Sequence, residues 1–375
     1  MTEDKATRYH RLKRRSEVLA LLWSAACFSG LLLSGASRFL GELAVSFSAG
    51  WPMLSVVWMV AALLLVHEAG ALPLAWYGGY VLERRYELTR QGPGAWLSDH
   101  VKGALLGLAL ASVAAVIVYG TMQRFGDGWW LVAGGVMAVL VAGLATVAPI
   151  LLLPLFFRFR PLARPELVSR LHQLASDAGT RVMGVYEWAL SAKSRKANAA
   201  LTGIGSTRRI IVSDTMLEQY SDDEIAVVLA HELGHHVHHD IWRALVFEFL
   251  LILLGFYATD TALRAFGPAL GLVAIDDIAG LPLLVLTAGA VSLALTPLAL
   301  ALSRLHERRA DRFALNLTGS AAAFTTAMRR LGAQNLAEER PSRLVRWLFY
   351  SHPPIEERIA AARQWEEGVR LKAEG

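Results

Sequence analysis

HELGH, residues 231–235, places two histidines four positions apart, with a glutamate directly after the first. The residues before it predict a helix: SDDE at 221–224 reads as a capping box, and the apolar run IAVVLA leads from it into His231. Residues four apart on a helix lie one turn above each other, so both imidazoles can bind one metal ion while Glu232 holds a water beside it. This arrangement is typical of zinc peptidases, and a chance pattern on a polar helix face is the alternative.

The composition indicates a membrane protein. The chain of 375 residues is 54% hydrophobic and only 18% charged, with a mean hydropathy of +0.40, which is not the profile of a soluble enzyme. Its apolar runs predict six membrane spans, at about 18–36, 53–74, 104–122, 129–153, 242–258 and 281–302. The net charge of +5 does not indicate nucleic-acid binding, because the arginines flank apolar runs instead of forming one patch with interleaved aromatics. The single Cys27 excludes a cysteine-based metal site.

The distribution of basic residues predicts the topology. Lys and Arg concentrate before the first span, between the second and third, after the fourth and after the sixth, so these segments and HELGH are predicted to face the cytoplasm. The first span is interpreted as an uncleaved anchor, because it is long for the apolar core of a signal peptide. The excess of arginine over lysine and the absence of a visible ER-retention ending favour a bacterial inner membrane.

The chain is predicted to divide into four parts. Residues 1–157 form a membrane region with four spans, 158–241 the first part of a catalytic domain, 242–302 a two-span hairpin, and 303–375 the second catalytic part. Within 158–241, the spacing predicts a helix after Pro165 and β-like segments at 182–190 and 209–213. The predicted fold class is therefore mainly α: a polytopic membrane protein with a cytoplasm-facing, zincin-like α+β domain built from two stretches.

A catalytic zinc ion needs a third protein ligand and an open position for water. His239 would lie a further turn along the helix, about 5.4 Å away, too far for a bond of about 2.0 Å. Glu307 is a better candidate, because the two-span hairpin returns the chain to the same membrane face; a surface glutamate paired with neighbouring arginines is the alternative. Asp311, one turn on, could accept the second N–H of a metal-bound imidazole.

Three segments resemble the signatures of one family: HELGH, SRLHERRAD at 303–311 and SHPPIEERI at 351–359. They are similar to those of the integral-membrane gluzincins, which include the type-1 CAAX prenyl proteases and the HtpX quality-control proteases. PLAWYGGYVLERRYEL at 73–88, WLSDHVKG at 96–103 and PLFFRFRPL at 154–162 resemble the membrane region of the CAAX branch. The resemblance implies a Zn²⁺-dependent endopeptidase in the lipid bilayer, acting on peptides or membrane proteins with or without an attached lipid.

The resemblance also implies roles for individual residues. It makes Glu307 the third zinc ligand, has His352 assist catalysis near the tetrahedral oxyanion, and places Asn198 on the edge strand that aligns the substrate backbone. Arg358 matches the arginine after the family's His-Pro-Pro element and would pair with carboxylates of the site. From the residues alone, the alternatives are that His352 is a loop histidine held by the following prolines and that Asn198 is a turn residue.

Four interpretations of function follow. The preferred one is a CAAX-protease-like zinc endopeptidase in which Glu232 is the general base. An HtpX-like quality-control protease would share every residue of the zinc site. A non-catalytic scaffold would normally have lost a ligand or the glutamate, and a metal transporter would need paired polar residues in the membrane, where only His67, Glu68 and Glu248 are available. His67 and Glu68 should face the bundle interior or satisfy each other or backbone carbonyls.

Overall fold

The computed structural model describes residues 4–203, 207–338 and 340–374, except the side chains of 149 and 150. The first 158 residues of the chain contain the helices α1 Lys5–Leu33, α2 Ala36–Phe47, α3 Pro52–Trp76, α4 Leu82–Arg85, α5 Pro93–Phe125, α6 Trp129–Leu151 and α7 Leu153–Phe156. The helices that follow are α8 Pro165–Asp177, α9 Asp214–Gln219, α10 Asp222–Val237, α11 Asp240–Phe266, α12 Leu281–Thr318, α13 Ala321–Gln334, α14 Arg343–Phe349 and α15 Ile355–Glu374. The strands are β1 Phe159–Pro161, β2 Gly184–Trp188, β3 Ala199–Thr202 and β4 Arg209–Ser213.

The long apolar helices account for all six predicted spans. Among the described residues, five helical segments are long and apolar enough to cross a membrane: Lys5–Leu33, Pro52–Arg85, Pro93–Ala148, Asp240–Phe266 and Ile278–Thr318. The third segment contains the two helices α5 and α6, which pack against each other across a short turn at Gly126–Gly128. The predicted polytopic, mainly helical membrane fold is therefore confirmed, and α2 is a helix that the sequence analysis did not predict.

Polar side chains link neighbouring helices inside the bundle. Trp129 on α6 donates its indole N–H to Asp260 on α11, at 2.7 Å. His67 Nε2 lies 2.9 Å from Ser24 Oγ on α1, and Glu68 lies 3.1 Å from a histidine of α5. His67 and Glu68 thus contact neighbouring helices instead of each other, as expected for polar groups that face a bundle interior.

A small sheet and the helices on it form the part of the chain between α7 and α11. Its strand order is β1-β2-β4-β3, with β2 and β4 parallel in the middle and the two antiparallel strands at the edges. The helix predicted after Pro165 is α8, and the two predicted β segments are β2 and β4. One hydrophobic core joins residues before the α11–α12 hairpin, such as Ile210 and Leu229, with residues after it, such as Phe324 and Ala362.

Helix α10 begins and ends where local chemistry dictates. Ser221 N donates to Glu224 Oε2 at 2.8 Å and Glu224 N donates to Ser221 Oγ at 3.3 Å, which confirms the capping box. The helix ends at Val237, and His239 adopts a left-handed conformation with φ 58°. The prediction that His239 lies a further turn along the same helix is therefore wrong, because α10 ends at Val237, before that turn forms.

The glycine of HELGH lets a second helix approach. A Cβ at Gly234 would lie 3.0 Å from Ala310 Cα and 3.2 Å from Phe313 Cβ, both on α12. The backbones of α10 and α12 can therefore pack closely at this point. Because Glu307 lies one turn before Ala310, this contact brings its carboxylate beside the histidines of α10.

Candidate metal centre

Three side chains from α10 and α12 converge on one point. His231 Nε2 and His235 Nε2 are 3.2 Å apart, and the two rings stand at 90° to each other. Glu307 Oε1 lies 3.2 Å from His235 Nε2, and its Oε2 lies 3.3 Å from His231 Nε2. Ligands at about 2.0 Å from a tetrahedral zinc ion would lie about 3.3 Å apart, so the spacing and the donor set fit zinc.

The carboxylate of Glu307 supports a cation at this point. Glu307 is only 5% exposed, and its Oε2 has no hydrogen-bond partner among the residues that the structure describes. A buried acceptor left unsatisfied costs about 1–3 kcal/mol, and more when it is charged. A metal ion between Glu307 and the two imidazoles would satisfy this oxygen, and among the described residues His231, His235 and Glu307 can each place one ligand atom around an ion.

Asp311 and Arg358 lie on the side of His231 opposite the metal point. His231 Nδ1 lies 2.9 Å from Asp311 Oδ1, so this nitrogen carries the proton and Nε2 presents its lone pair to the metal point. Arg358 Nε donates to Asp311 Oδ2 at 2.8 Å, and its Nη2 donates to Oδ1. The buried guanidinium thereby holds Asp311 in place.

Asp240 does the same for His235, and the sequence analysis missed it. Its Oδ2 lies 3.1 Å from His235 Nδ1, and the residue is 5% exposed. Asp240 is the first residue of α11 and follows the left-handed His239. The signal was in the sequence: a second metal-bound imidazole needs its own acceptor, and Asp240 is the acid nearest after His235.

Glu232 and His352 lie beside the same point, and Asn198 lies on the sheet. Glu232 is on α10 between the two histidines, and burial raises the pKa of its carboxyl. His352 Nε2 lies 3.3 Å from Glu307 Oε1, on a largely exposed side chain between α14 and α15. Asn198 directly precedes the edge strand β3 and pairs with Ser213 of β4: its N–H donates to Ser213 Oγ at 3.0 Å, and its carbonyl accepts from Ser213 N at 2.9 Å.

Comparison with known proteins decides the family. Residues 161–366, which contain the whole metal centre, match the model of peptidase family M48. The chain belongs to this family. Residues 2–158 match a second model, described as the N-terminal region of CAAX prenyl proteases with five membrane helices.

Several known proteins are similar to this chain over most of its length. The uncharacterized metalloprotease YhfN of Bacillus subtilis is 32% identical over 346 residues, which cover 90% of this chain and 80% of the relative. The CAAX prenyl protease 1 homolog of Oryza sativa subsp. japonica is 29% identical, over 86% of this chain and 76% of its own. The crystal structure of S. mikatae Ste24p has the same fold, with a TM-score of 0.83 at 24% identity, covering 96% of this chain and 87% of that one.

The M48 membership confirms the predicted membrane metalloprotease. The family and the fold agree with the resemblance carried by the HELGH, SRLHERRAD and SHPPIEERI segments. Neither the M48 match nor the relatives favour the scaffold or the metal transporter.

Proposed function

We propose that this M48 protein is a membrane-embedded zinc endopeptidase of the gluzincin type, with His231, His235 and Glu307 as the metal ligands. The observation that carries the proposal is the convergence of these three side chains at the spacing of a zinc coordination shell, with an otherwise unsatisfied Glu307 oxygen among them. Bound zinc would polarise a peptide carbonyl and lower the pKa of a water molecule.

The surrounding residues supply the proton transfers and the alignment. Glu232 accepts a proton from the attacking water and returns it to the leaving amine. His352 donates a hydrogen bond to the negative charge that develops on the carbonyl oxygen. Asn198 and the outer edge of β3, the last strand of the sheet, align an extended substrate by main-chain hydrogen bonds.

We further propose that residues 158–241 and 303–375 together form the catalytic unit, at the cytoplasmic face of a bacterial membrane. The shared hydrophobic core supports the first part of this proposal, and the basic loops flanking the spans support the second. The names of the CAAX prenyl protease relatives make peptides with a prenylated C-terminal motif the first substrates to test.

The decisive experiment compares a farnesylated peptide with its unmodified twin, using purified protein in detergent. Glu232→Gln should lower the rate of zinc-dependent cleavage by about 100-fold or more. Its zinc content should stay at the wild-type level. Glu366→Gln, an exposed glutamate on α15, is the matched control and should retain full activity. Undiminished turnover by Glu232→Gln would refute the mechanism, and preference for the bare peptide would favour an HtpX-like quality-control role.

A further inference from the structure

Helix α14 exposes large apolar side chains on the segment that leads into His352. Leu344 and Trp347, three residues apart and so on one face, are 64% and 51% exposed, and Phe349 is 42% exposed. We call Leu344 and Trp347 the α14 face; Phe349, two residues beyond Trp347, is exposed on another side of the helix. A seven-residue helix that leaves Leu344 and Trp347 exposed side by side marks a surface where another apolar phase is expected.

Helix α12 sets the depth of α14 relative to the bilayer. The apolar run of α12 extends from Leu281 to Leu302, and its first charged residue is Arg304. This run spans about 33 Å at about 1.5 Å per residue, the thickness of the hydrocarbon layer. Arg304 Nη1 donates to the carbonyl oxygens of Tyr350, at 2.6 Å, and Arg346, at 3.2 Å. The C-terminal end of α14 is therefore bonded to the side chain that marks the end of a span.

A second membrane helix holds the same segment. The hydroxyl of Tyr350 donates to Glu338 Oε2 at 2.6 Å, and the same oxygen accepts from Arg14 Nη1 of α1 at 2.7 Å. Arg14 lies just before the apolar run that is predicted to start near residue 18. Two independent contacts, one from each of two spanning helices, thus place the end of α14 at the level of the lipid headgroups.

The residues of α14 suit that level. Tryptophan is enriched where hydrocarbon meets headgroups, and arginine beside an apolar face attracts anionic headgroups. Arg340 and Arg343 are both exposed next to the α14 face. This combination of apolar and cationic side chains is typical of helices that lie in the plane of the interface.

We propose that the α14 face inserts into the interfacial layer of the bilayer, with anionic lipid headgroups around Arg340 and Arg343. The insertion fixes the beginning of the His352 segment. Arg304 and Glu307 lie on the same turn of α12, so one turn holds α14 and also supplies the carboxylate that lies 3.3 Å from His352 Nε2. Lipid contact and the geometry of the metal centre are thereby connected over a few residues.

The test measures the depth of α14 in vesicles of phosphatidylcholine, with and without phosphatidylglycerol. The full chain carrying Cys27→Ser, to remove its single cysteine, receives Trp347→Cys or Leu344→Cys and a bimane label. Val369→Cys, 48% exposed on α15, is the matched control. Quenchers are lipids with a nitroxide near the headgroup and aqueous iodide.

The labels at positions 344 and 347 should be quenched by the lipid nitroxide and shielded from iodide, and the label at 369 should show the reverse. Phosphatidylglycerol should shift the emission of the α14 labels further to the blue. Iodide quenching equal to that at 369 would overturn the proposal. Protection from both quenchers would also overturn it, because protein would then cover the face. Equal spectra with and without phosphatidylglycerol would refute the role of anionic headgroups.

The connection to His352 is tested separately, because it rests on the proposed peptidase activity. Trp347→Ser should lower kcat in vesicles but not in detergent, with KM and zinc content unchanged. Val369→Ser should leave kcat unchanged both in vesicles and in detergent. Equal kcat for Trp347→Ser and wild type in vesicles would refute this connection and leave the lipid contact standing. Loss of activity in wild type would instead refute the peptidase function.

Discussion

Replacing Asp240 by alanine should weaken zinc binding through His235. Asp240 Oδ2 is 3.1 Å from His235 Nδ1, and the aspartate is almost fully buried. Removing the acceptor behind a metal-bound histidine typically lowers metal affinity about 10- to 100-fold, or about 1.4–2.7 kcal/mol. The side chain of His235 is 23% exposed, so water can replace part of the lost hydrogen bond. We therefore expect the lower half of this range, about 10- to 30-fold.

The assay is competition for zinc between the purified protein and a chelator of known affinity. Asp240→Asn keeps an acceptor oxygen and should lose less affinity than Asp240→Ala. Asp177→Ala, at the exposed end of α8, is the control and should bind zinc as wild type does. Thermal unfolding of each variant separates lost metal binding from lost structure. A folded Asp240→Ala protein with wild-type zinc affinity would refute the assignment of Asp240 as the acceptor for His235.

Three further outcomes follow from the site. Burial raises the pKa of Glu232, and catalysis needs its carboxylate. We therefore expect kcat/KM to fall as the pH drops through that raised pKa, while zinc stays bound. A pH profile of kcat/KM that stays flat down to the ordinary glutamate pKa would contradict this expectation. Arg304→Gln, which releases the segment before His352, should lower kcat by up to about 100-fold, and an accompanying loss of zinc would argue against a positioning role. Gly234→Ala should destabilise the protein by about 1–3 kcal/mol in thermal unfolding, whereas Gly368→Ala, with open space around its Cβ, should be neutral or stabilising.

The membrane helices could be predicted from composition because the bilayer itself imposes the rule. A run of about 20 apolar residues has no other stable arrangement in hydrocarbon than a helix, and each predicted span overlaps one long helix. Helix α2 was not predicted because its 12 residues are too few to span the membrane. It lies between two helices that are long enough to do so. The turn at Gly126–Gly128 separates α5 from α6, as the sequence analysis expected from the break between its third and fourth spans.

The position of Glu307 near HELGH could be predicted from the order of the membrane spans, but its contacts could not. Seventy-one residues lie between His235 and Glu307, yet two antiparallel spans of similar length must return the chain to the face it left. The return of the chain places Glu307 near HELGH without specifying which atoms are in contact. A surface glutamate was therefore still the alternative. The contact depends on Gly234, where α12 packs against α10, and this packing is not visible in the spacing of apolar residues.

Asp240 was missed because its position depends on where α10 stops. Helical periodicity continued through HHVHHD, and on that assumption His239, not Asp240, would share a face with the ligands. In the structure a left-handed His239 ends the helix, a conformation that few residues other than glycine adopt and that local propensity does not foresee. The same turn starts α11, so a membrane span begins at the residue that supports a proposed metal ligand. A change in the packing of α11 should therefore reach the metal centre through Asp240 without passing through the sheet.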